Sequence, residues 1–235
     1  MAGGNIYVGG GGGKLFAAIG VTYPEGATLT CTNGSTTLKA KTTSGNYVFS
    51  IPKAGTWTVT CAGGTLSASQ AVEISESDKG TLKVVTLIFA GHYYNRGTFA
   101  DGVAYTAVVT PSNATVTEGT ESFNMKSPSS SKFEMYLRIG KVDLTFVNKL
   151  TLLYSCSTSI GSVRGCIFVS KSEITAFADA ESITTASDTD SVTNKTIELD
   201  VSDLTGEYYI YSGTNSNGAS WSNSRTVKIL EVSYA

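Results

Sequence analysis

The chain has 235 residues, with 17 Lys and Arg against 19 Asp and Glu and a formal charge of −2. This length allows one large domain or two of ordinary size. The basic residues form no cluster, so the charge that a nucleic-acid backbone requires is missing and we expect no nucleic-acid partner. About a quarter of the residues are Ser or Thr, a composition that favours β structure over helices.

Residues 1–13 form a glycine-rich N-terminal arm that ends in five consecutive glycines, Gly9 to Gly13. Glycine has no side chain to pack, so we interpret the arm as a flexible tail. A docking arm that is ordered against a partner is the alternative. The arm lacks the charged and apolar regions of a secretory signal peptide, and no segment approaches the ~18 apolar residues that span a bilayer. We therefore expect no signal-directed export and no membrane insertion.

Residues 14–90 alternate apolar side chains with small or hydroxyl side chains, a period of two that is typical of half-buried strands. Trp57, Val59 and Cys61 alternate with threonines in this way. The dipeptide Asn33-Gly34 predicts a type I′ hairpin turn. About seven short strands fit in this stretch, which is the size of an immunoglobulin-like β-sandwich.

Residues 91–97 are interpreted as a junction, and the alternation resumes over residues 98–235. Eight to nine strands in this second stretch predict a jelly-roll β-sandwich. The predicted fold class is therefore all-β, with two β-sandwich domains in tandem, Ig-like and then jelly-roll. The only histidine, His92, lies in the junction, where we expect it to pack between the domains and not to act as a catalytic base.

The four cysteines allow two interpretations. Cys31 and Cys61 fall on the inward faces of their strands. They form either an inter-sheet disulfide or two buried thiols. Cys156 and Cys166 flank a loop on strands that we expect to be adjacent, with the same two alternatives. A chain without an export signal favours thiols. No Cys-x-x-Cys spacing or nearby His accompanies them, so we expect no metal site and no cofactor.

Four carboxylates lie close together in the sequence, at Asp179, Glu181, Asp188 and Asp190. A facing pair of carboxylates hydrolyses glycosidic bonds when one of them lies in an apolar pocket. These four lie among Ser and Thr, so a solvated loop is the better interpretation. We therefore predict no catalytic residues and no enzyme activity.

The candidate ligand site is centred on Trp221, which lies among Asn215, Asn217 and Asn223 in a stretch rich in amides and hydroxyls. Sugar recognition places an aromatic face against C–H groups, while amide and hydroxyl side chains bind the sugar hydroxyls. The pattern therefore predicts a glycan site. The alternative is a Trp packed under its own loop or against a neighbouring subunit.

Two tyrosines in the preceding strand extend this candidate site. Tyr209 and Tyr211 share one face of the strand, and Tyr208 and Ile210 share the other. We expect one of these pairs in the core and the other exposed or at an interface.

The string SGNYVFSIPKAGTWTVTC (residues 44–61) combines a turn glycine, an aromatic-rich strand, an Ile-Pro stop and a Trp-Thr-Val strand. It resembles the prealbumin-like and CnaB-like Ig modules. The fuller stretch from Lys14 to Ser75 is similar to the small Ig-like modules in virion proteins of tailed bacteriophages, above all tail and appendage proteins. This likeness covers about a third of the chain.

The strings KTIELDVSDLTGEYYIYSG (residues 195–213) and RTVKILEVSY (residues 225–234) resemble the jelly-roll carbohydrate-binding-like domains that end phage receptor-binding proteins. The two resemblances imply a non-enzymatic structural and binding protein of a phage particle, made in the host cytoplasm and located in the virion. Its implied partners are other virion subunits, further copies of itself in a homo-oligomer, and host cell-surface polysaccharide. A polysaccharide depolymerase and a cell-surface adhesin are the alternatives.

Overall fold

The computed structural model describes residues 15–110, 114–127, 133–157, 163–174, 182–188, 192–216 and 226–235. The predicted N-terminal arm lies outside these residues. The chain divides into two compact units between Phe89 and Ala90, which we call unit 1 and unit 2. The described residues contain strands and one short 3-10 turn, and no α-helix. The fold is all-β, as the sequence predicted.

Unit 1 contains seven strands among its described residues, arranged in two sheets. A three-stranded sheet has the order β4-β1-β7, and a four-stranded sheet has the order β3-β2-β5-β6. The strands are β1 (Ala17–Thr22), β2 (Thr28–Thr32), β3 (Thr37–Lys39), β4 (Asn46–Ile51), β5 (Gly55–Gly63), β6 (Leu66–Ile74) and β7 (Leu82–Thr86). A 3-10 turn at Glu76–Asp78 connects β6 to β7. All of these pairings are antiparallel except that of β1 with β7.

The core of unit 1 lies between the two sheets, and β1, β2 and β5 bury alternate residues in it. Ile19 and Phe49 are buried on the three-stranded sheet, and Trp57 and Val59 on the four-stranded sheet. The Trp57 indole donates a hydrogen bond to the Lys53 carbonyl, at 3.2 Å, so its one polar group is satisfied on burial.

Two details of unit 1 differ from the sequence predictions. Cys31 and Cys61 are buried free thiols, but they lie on neighbouring strands of one sheet, because β2 pairs with β5. An inter-sheet disulfide was therefore the wrong alternative. The hairpin between β2 and β3 centres on Gly34 and Ser35, since Asn33 donates to the Thr36 carbonyl at 3.1 Å. Gly34 alone has a positive φ, of 84°, which is the pattern of a II′ turn and not of the predicted I′ turn.

Unit 2 contains twelve strands among its described residues, in two sheets. The five-stranded sheet has the order β10-β13-β18-β15-β16, and the larger sheet has the order β11-β12-β19-β14-β17, with β8 paired to β19 and β9 to β8. The strands are β8 (Gly91–Asn95), β9 (Thr98–Phe99), β10 (Tyr105–Thr110), β11 (Thr115–Glu118), β12 (Phe123–Lys126), β13 (Glu134–Asp143), β14 (Lys149–Ser157), β15 (Val163–Ser170), β16 (Ser182–Asp188), β17 (Val192–Asp200), β18 (Glu207–Asn215) and β19 (Thr226–Tyr234).

The predicted junction is a strand of this unit. Residues 91–95 form β8 and pair with β19, and Tyr93 and Tyr94 are both buried. His92 lies at the edge of this pair, with its Nε2 3.2 Å from the Glu231 carboxylate. His92 was expected to pack between the domains, but its contact with Glu231 lies within unit 2.

Two further interpretations of unit 2 need correction. The stretch expected to be a solvated loop contains β16, which pairs with β15 along seven residues. Asp179, Glu181 and Asp190 lie outside the described residues. Cys156 and Cys166 are free thiols, but β14 and β15 belong to different sheets. They were expected on adjacent strands, and that expectation was wrong.

Candidate functional site

The five-stranded sheet of unit 2 buries side chains on both of its faces. One face packs on the larger sheet, where Leu137, Ile167 and Ile210 are fully buried. Neighbours in sequence point to opposite faces, so Tyr136, Phe168 and Tyr211 lie on the other face. We call this second surface the outer face.

The strand register places aromatic residues next to each other on the outer face. Phe168 of β15 lies opposite Tyr211 of β18, and Tyr211 lies opposite Arg138 of β13. One row further along, Cys166 and Tyr136 flank Gly213. Residues on three strands thus converge on one patch, although they are far apart in the sequence.

The middle of the outer face is a closed aromatic cluster formed by Tyr136, Cys166, Phe168 and Tyr211. The Phe168 and Tyr211 rings are parallel with centroids 4.7 Å apart, and the Tyr136 ring meets Phe168 edge-on at 5.1 Å. The Tyr211 hydroxyl accepts a hydrogen bond from the Ile174 amide at 2.9 Å. All four side chains are buried, so this cluster stabilises the unit.

Tyr209 forms the accessible margin of this cluster. It packs against the cluster while staying half-buried. The Arg138 guanidinium carbon lies 5.6 Å from the centroid of the Tyr209 ring, and the Lys141 ammonium lies 5.8 Å from it. Glu173 forms an ion pair with Arg138. Desolvation, the Glu173 charge and a hydrogen bond to that carboxylate raise the pKa of Tyr209.

This margin, formed by Tyr209, Arg138, Lys141 and Glu173, is the candidate site. It combines an aromatic ring with guanidinium and ammonium donors and a carboxylate acceptor. Such a combination binds a hydroxyl-rich ring, because the aromatic face covers C–H groups while the charged groups bind hydroxyls.

The predicted site residues separate in the structure. Trp221, Asn217 and Asn223 lie outside the described residues, so their role stays a prediction. Tyr211 and Asn215 are buried, Tyr211 between Phe168 and the Ile174 backbone.

Tyr211 and Asn215 are therefore not accessible at the surface of unit 2. Of the two residue pairs predicted to lie on opposite faces, Tyr208 and Ile210 are buried. The other pair divides, because Tyr211 belongs to the buried cluster and Tyr209 lies at its margin.

Sequence reasoning missed Arg138, Lys141 and Glu173. Arg138 and Lys141 come from β13, and Glu173 follows β15, 35 residues beyond Arg138. The alternation of β13 did place Arg138 opposite Met135 and Leu137, on the polar side of its strand. Only the strand register shows that this side faces Tyr209.

The described residues contain no group of three or more His, Cys, Asp or Glu side chains placed to hold a metal ion. Burial raises the pKa of the Cys166 thiol well above its usual range and that of Cys31 to about 12, so both thiols are protonated at neutral pH. Within the same parts of the chain, no helix is long and apolar enough to cross a membrane.

No protein-family model and no curated protein matches the sequence. Several solved structures resemble it. A variant of the family 29 carbohydrate-binding module CBM29-2, complexed with cellulohexaose, is 8% identical, with 62% of this chain and 89% of that chain covered and a TM-score of 0.39.

Two further structures extend this comparison. TmCBM61 in complex with β-1,4-galactotriose is 11% identical, with 61% of this chain and 97% of that chain covered and a TM-score of 0.38. A DUF3823 family protein from Parabacteroides merdae is 12% identical, with 93% and 95% covered and a TM-score of 0.25.

Proposed function

We propose that unit 2 is a non-catalytic glycan-binding module and that its ligand contacts the margin of the outer face at Tyr209. The observation that carries this proposal is the half-buried Tyr209 ring, which has two cations within 6 Å of its centroid and a carboxylate at its hydroxyl. The ring is held in place by the buried cluster behind it. A sugar that stacks there therefore meets a surface that loses little conformational freedom on binding.

The same contacts favour binding over catalysis. Glu173 is engaged by both Arg138 and Tyr209. A glycosidase uses two carboxylates of different environment on either side of the scissile bond. A single carboxylate bound to a guanidinium instead fixes the position of the Arg138 guanidinium beside the Tyr209 ring.

The setting of this module is a separate part of the proposal. The sequence of unit 1 resembles Ig-like modules of tailed-phage virion proteins, and the chain joins two β-sandwich units in tandem. We propose that unit 1 attaches the chain to a phage tail, baseplate or head appendage as part of a homo-oligomer, and that unit 2 contacts host polysaccharide. Antibody labelling of intact particles tests this setting. Its failure leaves the glycan site of unit 2 unaffected.

The glycan site is tested with a panel of neutral and acidic cell-wall oligosaccharides and three proteins: the full chain, Tyr209→Ala and Tyr105→Ala. Tyr105 is the matched control, since it is an accessible Tyr of the same unit, 39% exposed and stacked on Phe99 at 3.5 Å. Loss of a stacking ring costs about 1.5 kcal/mol, which is roughly tenfold in affinity.

We expect the full chain and Tyr105→Ala to bind the same oligosaccharide and Tyr209→Ala to bind it about tenfold more weakly. Binding that Tyr209→Ala leaves unchanged would place the site elsewhere. If the full chain binds no member of the panel, the proposed glycan-binding function is refuted.

A further inference from the structure

Strand β7 forms one edge of the three-stranded sheet of unit 1. Its parallel pairing with β1 ends where the Leu87 amide donates to the Thr22 carbonyl at 2.8 Å. Alternate residues of a strand direct their backbone groups to the same side. Leu82, Val84 and Thr86 therefore direct theirs away from β1, where no strand within the described ranges pairs with them.

The side chains at this edge are apolar and exposed. Leu82 is 45% exposed, Val84 71% and Ile88 58%. Charged side chains usually protect an open edge against a further strand. The charged residue of β7, Lys83, is instead held in an ion pair with Asp78, with 3.1 Å between its Nζ and the carboxylate. The edge is therefore a template for an added strand.

A shallow groove lies beside the start of β7. Its volume is about 180 Å³, and Leu15, Gly80 and Leu82 contribute to its lining. The space at Gly80 is open, since a methyl group on its Cα would meet no atom within 4 Å. A cavity of about 150 Å³ holds a benzene molecule, so this groove has room for one aliphatic side chain.

We propose that β7 pairs with β7 of a second copy of this chain, antiparallel and about a two-fold axis at Val84. The register follows from the free backbone groups. Placing Leu82 opposite Thr86 of the second copy, and Val84 opposite Val84, uses all three outward-directed residues of each strand. Each opposite pair then exchanges two backbone hydrogen bonds, and the two three-stranded sheets become one sheet of six strands.

This register also matches the side chains of the two copies. The two Val84 side chains meet at the axis on the same face of the sheet. Counted outward from the axis, Ile88 lies opposite Gly80 of the second copy, at the groove that has room for it. The axis repeats this contact, so both Ile88 side chains are covered. Such an edge fits a second copy, because a two-fold interface joins the same patch of both subunits.

The area of the contact indicates a weak dimer. Three paired residues make each strand segment about 10 Å long, so the interface is smaller than the ~1,200 Å² of a stable complex. Interfaces of that size serve transient association, and they become effective when several copies are attached to one assembly. The inference rests on the homo-oligomer of the proposed function and names its surface. It involves unit 1 alone, so its failure and the failure of glycan binding by unit 2 are distinguishable.

Disulfide cross-linking of two full-length variants, Val84→Cys and Leu82→Cys, tests the register. Opposite residues that share two backbone hydrogen bonds have Cα atoms about 5.5 Å apart, which a disulfide spans. The two copies of position 84 meet this condition at the axis. The two copies of position 82 lie four residues apart along the strands, about 14 Å, and do not. The parent chain, whose four cysteines are buried, is the blank.

Each protein is oxidised at about 100 µM in a glutathione buffer, and the disulfide-linked dimer is measured by its intact mass. We expect Val84→Cys to form this dimer at least about tenfold faster than Leu82→Cys. Equal rates in the two variants would overturn the proposal. Absence of a linked dimer from Val84→Cys would also overturn it, because the edge would then be open to a different partner or covered by another segment of this chain.

Sedimentation equilibrium supplies a readout without added cysteines. The parent chain should gain mass as its concentration rises to about 500 µM, and Val84→Asp should associate at least about tenfold more weakly, because two carboxylates would meet at the axis. Thr28→Asp, at an exposed position of the other sheet of unit 1, is the matched control and should associate as the parent does. A parent chain that stays monomeric, or equal association of Val84→Asp and the parent, would overturn the proposal.

Discussion

Replacing Phe168 by Ala tests whether the outer face holds a true second core. The Phe168 ring is fully buried, parallel to Tyr211 and edge-on to Tyr136. Truncating a buried Phe to Ala costs about 3–5 kcal/mol of unfolding free energy, through lost transfer energy and the cavity that remains. Because a domain is stable by only about 5–15 kcal/mol, unit 2 should stay folded with little stability to spare.

The size of the expected shift follows from the length of the unit. For a unit of this size, each kcal/mol lowers the melting temperature by about 2–4 °C, so Phe168→Ala should melt about 6–20 °C below the parent. A calorimetric scan measures this, with the transition of unit 1 as the internal reference. Tyr209→Ala is the matched control on the same face, and we expect it to cost less than about 1 kcal/mol because its ring is half-exposed.

A loss below about 1 kcal/mol in Phe168→Ala would refute the reasoning. It would mean that the outer face is open and that Tyr211 and Phe168 are accessible to a ligand. Equal losses in Phe168→Ala and Tyr209→Ala would contradict the distinction between a buried cluster and an accessible margin.

Three further predictions concern single groups. Tyr211→Phe removes the hydroxyl that bonds the Ile174 amide and should cost about 1 kcal/mol in urea unfolding; a neutral result would contradict this bond. Hydrogen bonds from the Ser75 amide and hydroxyl hold the pKa of Asp78 at about 2, below its unfolded value of about 3.9. The ionised Asp78 should therefore add to the free energy of unfolding of unit 1 above about pH 4, and this addition should disappear as the pH falls toward 2. In Asp78→Asn, the free energy of unfolding measured in urea should change less with pH between about 4 and 2 than in the parent. Iodoacetamide should label Cys31 and Cys166 in the native protein only as fast as unfolding exposes them, because both are buried and the thiolate is the reactive form; rapid native labelling by mass spectrometry would contradict their burial.

The period of two was sufficient to predict the strands wherever only one face of a strand is buried. Trp57, Val59 and Cys61 of β5 follow it, and all three are fully buried. It failed at β8, where the neighbours Tyr93 and Tyr94 are both buried. A strand covered on both faces shows no alternation, so its glycines and aromatics suggested a junction.

The candidate site was predictable only in part, for a related reason. Tyr209 stood out together with Tyr211 as one face of an aromatic strand, but its partners come from other strands. Arg138 reaches it because β13 pairs with β18, and Glu173 because the chain turns after β15. Strand order and register depend on the packing of the whole sheet, and a single sequence does not contain them in a local pattern. The same packing buries Tyr211, although it is two residues from Tyr209.

The most direct test of the glycan site is an NMR titration of the isotope-labelled full chain with the oligosaccharide that binds best in the panel. The account predicts that the largest shift changes fall on Arg138, Glu173 and Tyr209 and saturate together. Changes centred on the larger sheet of unit 2 or on unit 1, with these three residues unmoved, would contradict it.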